Sequence, residues 1–553
     1  MTTFASKSRQ PRTAKGAPVP QPISGTGAPR TAFALVLPLA LSALLAALSL
    51  LPMVGQLTVL RQSLLGAAVF VATATGLFFY LAGPRGRVLG LDVSLRKQHY
   101  LQACAQFSVM LYWGWYWRQV YDALPLIVAQ LLFAYAFDML LGWARRGTYT
   151  LGFGPFPIIF SINLFLWFKP DWFYLQFLMV AVGFLAKEFI TWEKDGRRAH
   201  IFNPSSFPLG LFSLGLILTG NTAITWGQEI AQTFELPPYI RLWIFLIGLP
   251  GQFFFGVTAM TMSAVLTVFA FGMGYHWIFG TYFFVDAFMP AAVFLGMHLL
   301  FTDPSTSPRS ELGRVLFGMA YGLAVVFLFW LLGELGVPTF YDKLLAVPLL
   351  NLSIQFIDMA ARSGWLRHLD PVRLGRTLSQ RQRNLAYMSI WAVGFAIVSD
   401  PMAAYRPRRW LPFWEQACVE NRRNACVVLS KLEAQYCRQG SPWACNELGI
   451  LGATGRAKVT IAPPDAFGRA CSQGYQAACT NFRTAQAPSA AGDQPGYRRA
   501  PPAVSEFALL LQEGQGALTS LSPAQLLDRA CAQGWADACS PLRTGTASLP
   551  PSR

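Results

Sequence analysis

The sequence predicts an all-α polytopic membrane protein: about 13 transmembrane helices followed by a disulfide-stapled α-helical repeat domain. Three observations carry this. The chain is 54% hydrophobic and 13% charged, whereas ordinary soluble domains are about 25% charged. Its apolar residues gather into runs of roughly 20, the length that crosses a hydrocarbon core. Eight of the nine cysteines lie after residue 410, in pairs at one spacing.

The 44 Lys+Arg against 27 Asp+Glu give a net charge of +17. These bases sit in short connections between apolar runs, where they set topology, and no nucleic-acid partner is expected. Residues 1–31, rich in Pro, Ser, Thr, Gly and bases, read as a disordered basic cytoplasmic tail. Residues 32–97 hold two additional N-terminal helices, near 32–54 and 60–82. The first follows bases as a signal peptide would, but its length and the lack of a small-residue cleavage site make it a retained helix.

Residues 98–361 form a membrane core with runs near 99–117, 120–143, 151–168, 171–190, 205–220, 239–257, 259–275, 282–301, 314–335 and 341–361. A basic cytoplasmic loop (362–384) and a last transmembrane helix (385–404) follow. With the tail inside, the bases at 83–97, Arg145-Arg146, Lys194 to Arg198, Arg309 to Arg314 and 362–383 all fall inside too, as the positive-inside rule requires. An odd number of spans then places residues 405–545 in the periplasm, the expected location being a bacterial inner (plasma) membrane.

The cysteine pairs are Cys418/Cys426, Cys437/Cys445, Cys471/Cys479 and Cys531/Cys539. In Ala470-Cys471-Ser472-Gln473-Gly474-Tyr475-Gln476-Ala477-Ala478-Cys479, a helix ending near the first cysteine, a turn at Gly474 and a helix starting near the second would bring two sulfurs across an αα-hairpin. The 34-residue step from Cys437 to Cys471 is a helical-hairpin repeat period. Zinc is the alternative, although seven intervening residues do not match the usual knuckle. The region resembles the cysteine-rich SEL-like (tetratricopeptide-related) bacterial repeat proteins, which implies one disulfide per repeat, an oxidising compartment and a protein partner for the repeats. The Pro/Ala/Gly-rich insert at about 484–503 is expected to be mobile, and Cys104 to be a buried apolar residue of its span.

Polar residues before prolines mark two run ends: Ala199-His200-Ile201-Phe202-Asn203-Pro204 and Phe301-Thr302-Asp303-Pro304-Ser305-Thr306-Ser307-Pro308. Each is read as a helix cap with Pro at the first helical position, or as a broken helix end lining a cofactor or ion cavity. With Leu349-Leu350-Asn351 through Ile357-Asp358, these stretches resemble, in order, elements of the RnfD/NqrB family, whose members are membrane components of the Rnf electron-transport complex and of the sodium-translocating NADH:quinone reductase. The resemblance covers about half the chain and implies an approximately ten-helix core.

It further implies flavin mononucleotide (FMN) as cofactor, esterified to a threonine on the outer side. Thr225, in Thr219-Gly220-Asn221-Thr222-Ala223-Ile224-Thr225, falls on that position, with Thr222, Asn203, Thr302 and Asp303 as further cofactor-binding candidates. The pattern departs from the family: Thr219 replaces an Asp, Ala223 a Gly or Ser, and Ile224 a small Ala. Another reading makes Thr222 and Thr225 ordinary exposed loop residues.

Within the predicted spans, Asp138, Asp286 and Asp358 are the carboxylates whose burial would cost most. Asp286, between Phe284-Val285 and Ala287-Phe288 in a predicted apolar helix, and Asp358 are ion-path candidates for Na+ or H+, with an interfacial position as the alternative for Asp286. His99, His276 and His298 are placed as structural or interfacial groups rather than haem ligands. The sequence contains no phosphate-binding glycine loop, CxxC or nucleophile elbow, so no self-contained catalytic residues are assigned. The expected function is that of a membrane component of a redox-driven electron-transport complex. Its partners would be other membrane or periplasmic redox proteins of that complex and membrane lipid. The alternative is a non-redox transporter or scaffold whose repeats bind protein.

Overall fold

The computed structural model describes residues 30–82, 89–194, 197–284, 287–375, 377–403, 411–486, 496–511 and 521–539. The principal apolar helices are α1 (Arg30–Leu48), α2 (Thr58–Ala82), α3 (Lys97–Tyr116), α4 (Leu124–Arg146), α5 (Pro155–Asn163), α6 (Tyr174–Phe189) and α7 (Ser206–Leu218). They continue with α8 (Ile240–Phe255), α9 (Thr258–Phe279), α10 (Ala291–Leu295), α11 (Glu311–Glu334), α12 (Asp342–Arg362) and α13 (Gln380–Ala403). Five segments are long and apolar enough to cross a membrane: Thr58–Leu81, Leu124–Arg146, Thr258–Phe279, Glu311–Glu334 and Thr339–Arg362. Others, such as Ser206–Leu218 and Ile240–Phe255, are apolar but shorter. The architecture is all-α. Its β-structure among the described residues is a parallel pair, Gly90–Val93 with Thr148–Leu151, an antiparallel pair, Thr191–Lys194 with Arg197–His200, and isolated bridges.

Small residues let the helices approach. Gly318 and Gly322, one turn apart on α11, face α9 so closely that a Cβ at Gly318 would lie 2.2 Å from the Met260 carbonyl oxygen and 2.1 Å from Ser263 Oγ. Without a hydrophobic drive between helices in lipid, such close backbone packing supplies the contact energy. α13 docks through polar groups: Arg383 Nη2 lies 2.9 Å from Glu311 Oε1, and the Asn384 side chain reaches Thr258 Oγ1 and the Phe253 carbonyl. Farther along it, the Phe395 ring stacks on Phe245 at 4.1 Å.

The expected helix over 282–301 begins only at Ala291. Gly280 ends α9 in the left-handed region (φ 65°), Phe284 and Ala287 form an isolated bridge, and Pro290 is extended (ψ 146°). Proline cannot donate a hydrogen bond and disfavours helix in the preceding residue. After Leu295 the chain continues as a π-helical turn, Gly296–Leu300. The expected 151–168 span is likewise shorter, Pro155–Asn163.

The C-terminal helices are α14 (Leu411–Val419), α15 (Ala425–Arg438), α16 (Pro442–Ala453), α17 (Pro463–Ser472), α18 (Gln476–Gln486) and α19 (Pro523–Ala532). All four cysteine pairs are disulfides, Cys418–Cys426, Cys437–Cys445, Cys471–Cys479 and Cys531–Cys539, with Cα atoms 4.6–4.7 Å apart. Each hairpin turns through left-handed backbone: Gly440, Gly474 and Gly534 in three, Asn421 and Asn424 in the first. The expected mobile insert is described only at its ends, where 496–503 packs back on the repeats. Arg498 donates its backbone N–H to Asn481 Oδ1, and its carbonyl accepts from Asn446 and Asn481.

Candidate functional site

The three stretches singled out in the sequence meet at one end of the bundle, the end that carries the basic loops. Asn203, before α7, organises the junction from a position 5% exposed. Its Oδ1 accepts from Ser205 N (2.9 Å), Ser205 Oγ (2.8 Å) and Ser206 N (3.3 Å), so it caps the turn into α7. Its Nδ2 donates to the Leu300 carbonyl (2.9 Å), at the end of the π turn. Asn351, fully buried on α12, accepts from Asn203 N (3.2 Å) and donates to the Thr306 carbonyl (3.2 Å). Asp358, two turns further along α12, accepts from Arg309 N, Ser310 N and Ser310 Oγ. Ser310 in turn caps α11 by accepting from Gly313 N.

Asp303 performs the expected cap, its Oδ1 accepting from Ser305 N (3.0 Å) and Ser305 Oγ (2.6 Å). Its Oδ2 lies 3.7 Å from His200 Nε2, and Ser305 Oγ 3.0 Å from the same nitrogen. Burial pushes the Asp303 carboxyl up, but His200 and Ser305 outweigh it and hold the group below the ordinary carboxylate range. Thr302 donates to the His298 carbonyl (2.8 Å), relieving the irregular turn. A cavity of about 260 Å³ opens here, lined among others by Arg96, His99, Lys187, His200, Asn203 and Asp303. It is slightly below the range of about 300–1,000 Å³ that holds organic cofactors.

Thr225 lies at the other end of α7, whose 13 residues span about 20 Å. The Thr222–Ile224 turn feeds Thr225 into an extended bridge with Phe168, fixed by Lys169 N to the Ile224 carbonyl (2.9 Å) and Trp226 N to the Trp167 carbonyl (2.8 Å). Thr225 is 3% exposed, and its hydroxyl donates to the Thr222 carbonyl at 3.2 Å. It is therefore not an exposed loop residue. Thr222 is half-buried. In this closed loop the Thr225 hydroxyl does not fit an FMN ester, because a transferring enzyme and a phosphate would both need to reach a satisfied, enclosed oxygen.

Asp286 lies outside the described residues, but Phe284 before it is in a bridge rather than a helix. Cys104 is exposed, not buried: it faces outward from α3 beside Phe107, Leu111 and Trp243, where lipid can solvate a thiol as well as a protein core does. His298 is buried, with Nδ1 2.8 Å from the Phe294 carbonyl and its ring near Phe294 and Trp391.

The sequence reading missed two features. The Glu235–Arg241 pair, 2.9 Å apart and also linked to Ala291 N, is buried where the connection between the 205–220 and 239–257 runs meets the second of them. The Gly318/Gly322 contact was available as a G-x-x-x-G spacing within an apolar run. Comparisons with protein families, with curated proteins and with solved structures return no match.

Proposed function

We propose that the chain is the membrane component of a redox-driven electron-transport complex, similar to members of the RnfD/NqrB family. In this reading α1 to α13 all enter a bacterial inner membrane and the stapled repeats lie in the periplasm. Partner proteins of the complex supply and withdraw electrons, with Na+ or H+ movement coupled to the transfer, and FMN is the cofactor that the resemblance implies. The observation that supports it is the Asn203–Asn351–Thr306 hydrogen-bonded chain. Three motifs recognised only by their order, up to 148 positions apart in sequence, are joined by direct contacts.

One further observation favours a second reading, a non-redox transporter or scaffold working through its repeats: Thr225 is enclosed. Flavin detection separates the two. Protein coexpressed with a flavin transferase is run on a denaturing gel under ultraviolet light, and native protein is scanned for flavin absorbance. A band lost in Thr225→Ala supports the covalent flavin; native absorbance without a band supports a noncovalent one. Protein dark by both measures sinks the redox reading in favour of the scaffold.

A further inference from the structure

We infer that the cleft between the membrane bundle and the repeat domain is a binding site for a phosphate-bearing molecule with an apolar portion. The two parts are held together next to it. Arg422 Nη1 donates to the Gly280 carbonyl (2.9 Å), Thr281 Oγ1 donates to the Arg423 carbonyl (3.2 Å), and the Arg423 guanidinium sits 4.6 Å from the Phe279 ring centre. Beside this clamp lies a cavity of about 420 Å³, within the size range of small-ligand sites.

One wall is a stripe of α15. Val427, Ser430, Lys431, Ala434, Gln435 and Arg438 recur at helical spacing and all line the cavity, joined by Lys458. The facing wall belongs to the bundle, where Phe284, Phe329 and Phe340 give an apolar surface and Lys343 a buried ammonium, 4% exposed.

The charges there are unbalanced. Both lining carboxylates are already engaged: Glu235 with Arg241, and Asp342 with Lys343. Lys343 donates to the Phe340 carbonyl and to Asp342 Oδ1, which uses two of the three donors of an ammonium. Lys431, Arg438 and Lys458 are exposed and have no ion-pair partner among the described residues. Cations from two walls around an aromatic hollow attract an anion electrostatically and seat its apolar part. A solvated basic face would explain the three exposed cations alone, but not that Lys431 and Arg438 share one face of α15, with Lys458 beside them, across the cavity from a buried lysine. The inference does not depend on the flavin reading, because the repeat domain supplies half of the site.

A soluble phosphate ester and a phospholipid headgroup share this chemistry, and the test separates them. Full-length protein in nanodiscs of phosphatidylcholine alone is titrated calorimetrically with phenyl phosphate. In a second arm, protein from nanodiscs containing phosphatidylglycerol is examined by native mass spectrometry for retained lipid. The Lys431→Ala/Arg438→Ala/Lys458→Ala variant, altered only at exposed positions, is carried through both, with Arg469→Ala as a control. Saturable phenyl phosphate binding, weakened at least tenfold in the triple variant and unchanged in the control, supports a soluble ester. Phosphatidylglycerol retained by wild type and lost from the triple variant supports a lipid. Absence of both signals, or signals insensitive to the triple variant, overturns the site.

Discussion

Asn203 and Asn351 are joined by a hydrogen bond from the Asn203 backbone N–H to the Asn351 side-chain oxygen, 3.2 Å across 148 residues of sequence, with both residues buried. Asn351 passes the connection on to the Thr306 carbonyl. Asn351→Leu leaves the Asn203 N–H and the Thr306 C=O buried and unpaired, at about 1–3 kcal/mol each. The expected loss is about 2–6 kcal/mol, read as a lowered unfolding midpoint in detergent. Leu352→Ala, at a position 52% exposed, should change little. Equal midpoints for the two variants would show that the junction carries no stability.

The contact of α9 with α11 rests on the missing side chain of Gly318. Gly318→Ala would drive a methyl into the Met260 carbonyl and Ser263 Oγ, the latter already bonded to the carbonyls of Met260 and Val315. Overpacking of this kind costs about 1–3 kcal/mol. Gly215→Ala, on α7 with open space around it, should be neutral or slightly stabilising. The same unfolding midpoints check this pair, and a Gly318→Ala protein as stable as Gly215→Ala would refute the close packing.

The hairpin repeats were legible because each cysteine pair carries its own local rule: one fixed spacing, a residue that tolerates left-handed backbone, and a short helix on either side. The helix caps at Asn203 and Asp303 were legible for the same reason, since a cap is decided within three residues. What Asn203 and Asn351 do for each other was not, because the choice of partner depends on how α7, α10 and α12 cross. The burial of Thr225 was missed because its own segment is polar and short. It is enclosed by Phe168 and Trp167, more than 50 residues earlier. The helix expected from 282 failed because hydropathy alone cannot register Gly280 and Pro290, which break it between them.

The cysteine arrangement gives a direct count. The sequence has nine cysteines, eight are paired and Cys104 is free. Chain denatured without reductant should take one alkyl adduct by intact mass, and nine after reduction. Cys104→Ser should take none before reduction. More than one adduct on the non-reduced wild-type chain would show that the staples do not all form, contrary to the proposed oxidising location.

The repeat domain also buries acids that its stability must answer for. Glu433 and Glu447 are 1% and 2% exposed. The Arg499 guanidinium reaches in from the described end of the insert. Its Nε is 3.2 Å from Glu447 Oε2 without the alignment of a hydrogen bond, and its Nη1 is 3.8 Å from Glu415 Oε1. Burial lifts the Glu433 carboxyl well above its usual range, reinforced by Glu447 and Glu415. It lifts Glu447 to about 7, and in both cases Arg499 opposes it only in part. Burial also raises Glu415, with Asp537 adding to the effect.

A carboxyl raised on folding makes the native state bind more protons than the unfolded one between about pH 4.5 and 7. Stability is then greatest below that window and falls as pH rises through it, by roughly 3 kcal/mol for a group like Glu447. Hydrogen exchange of α15 and α16 in the full-length protein, corrected for intrinsic rates, should show stronger protection at pH 5 than at pH 8. Glu433→Gln, which keeps the shape and removes the titration, should flatten that dependence. Protection that rises with pH in the wild-type protein would mean that the Arg499 ion pairs, not the buried carboxyls, dominate the cluster.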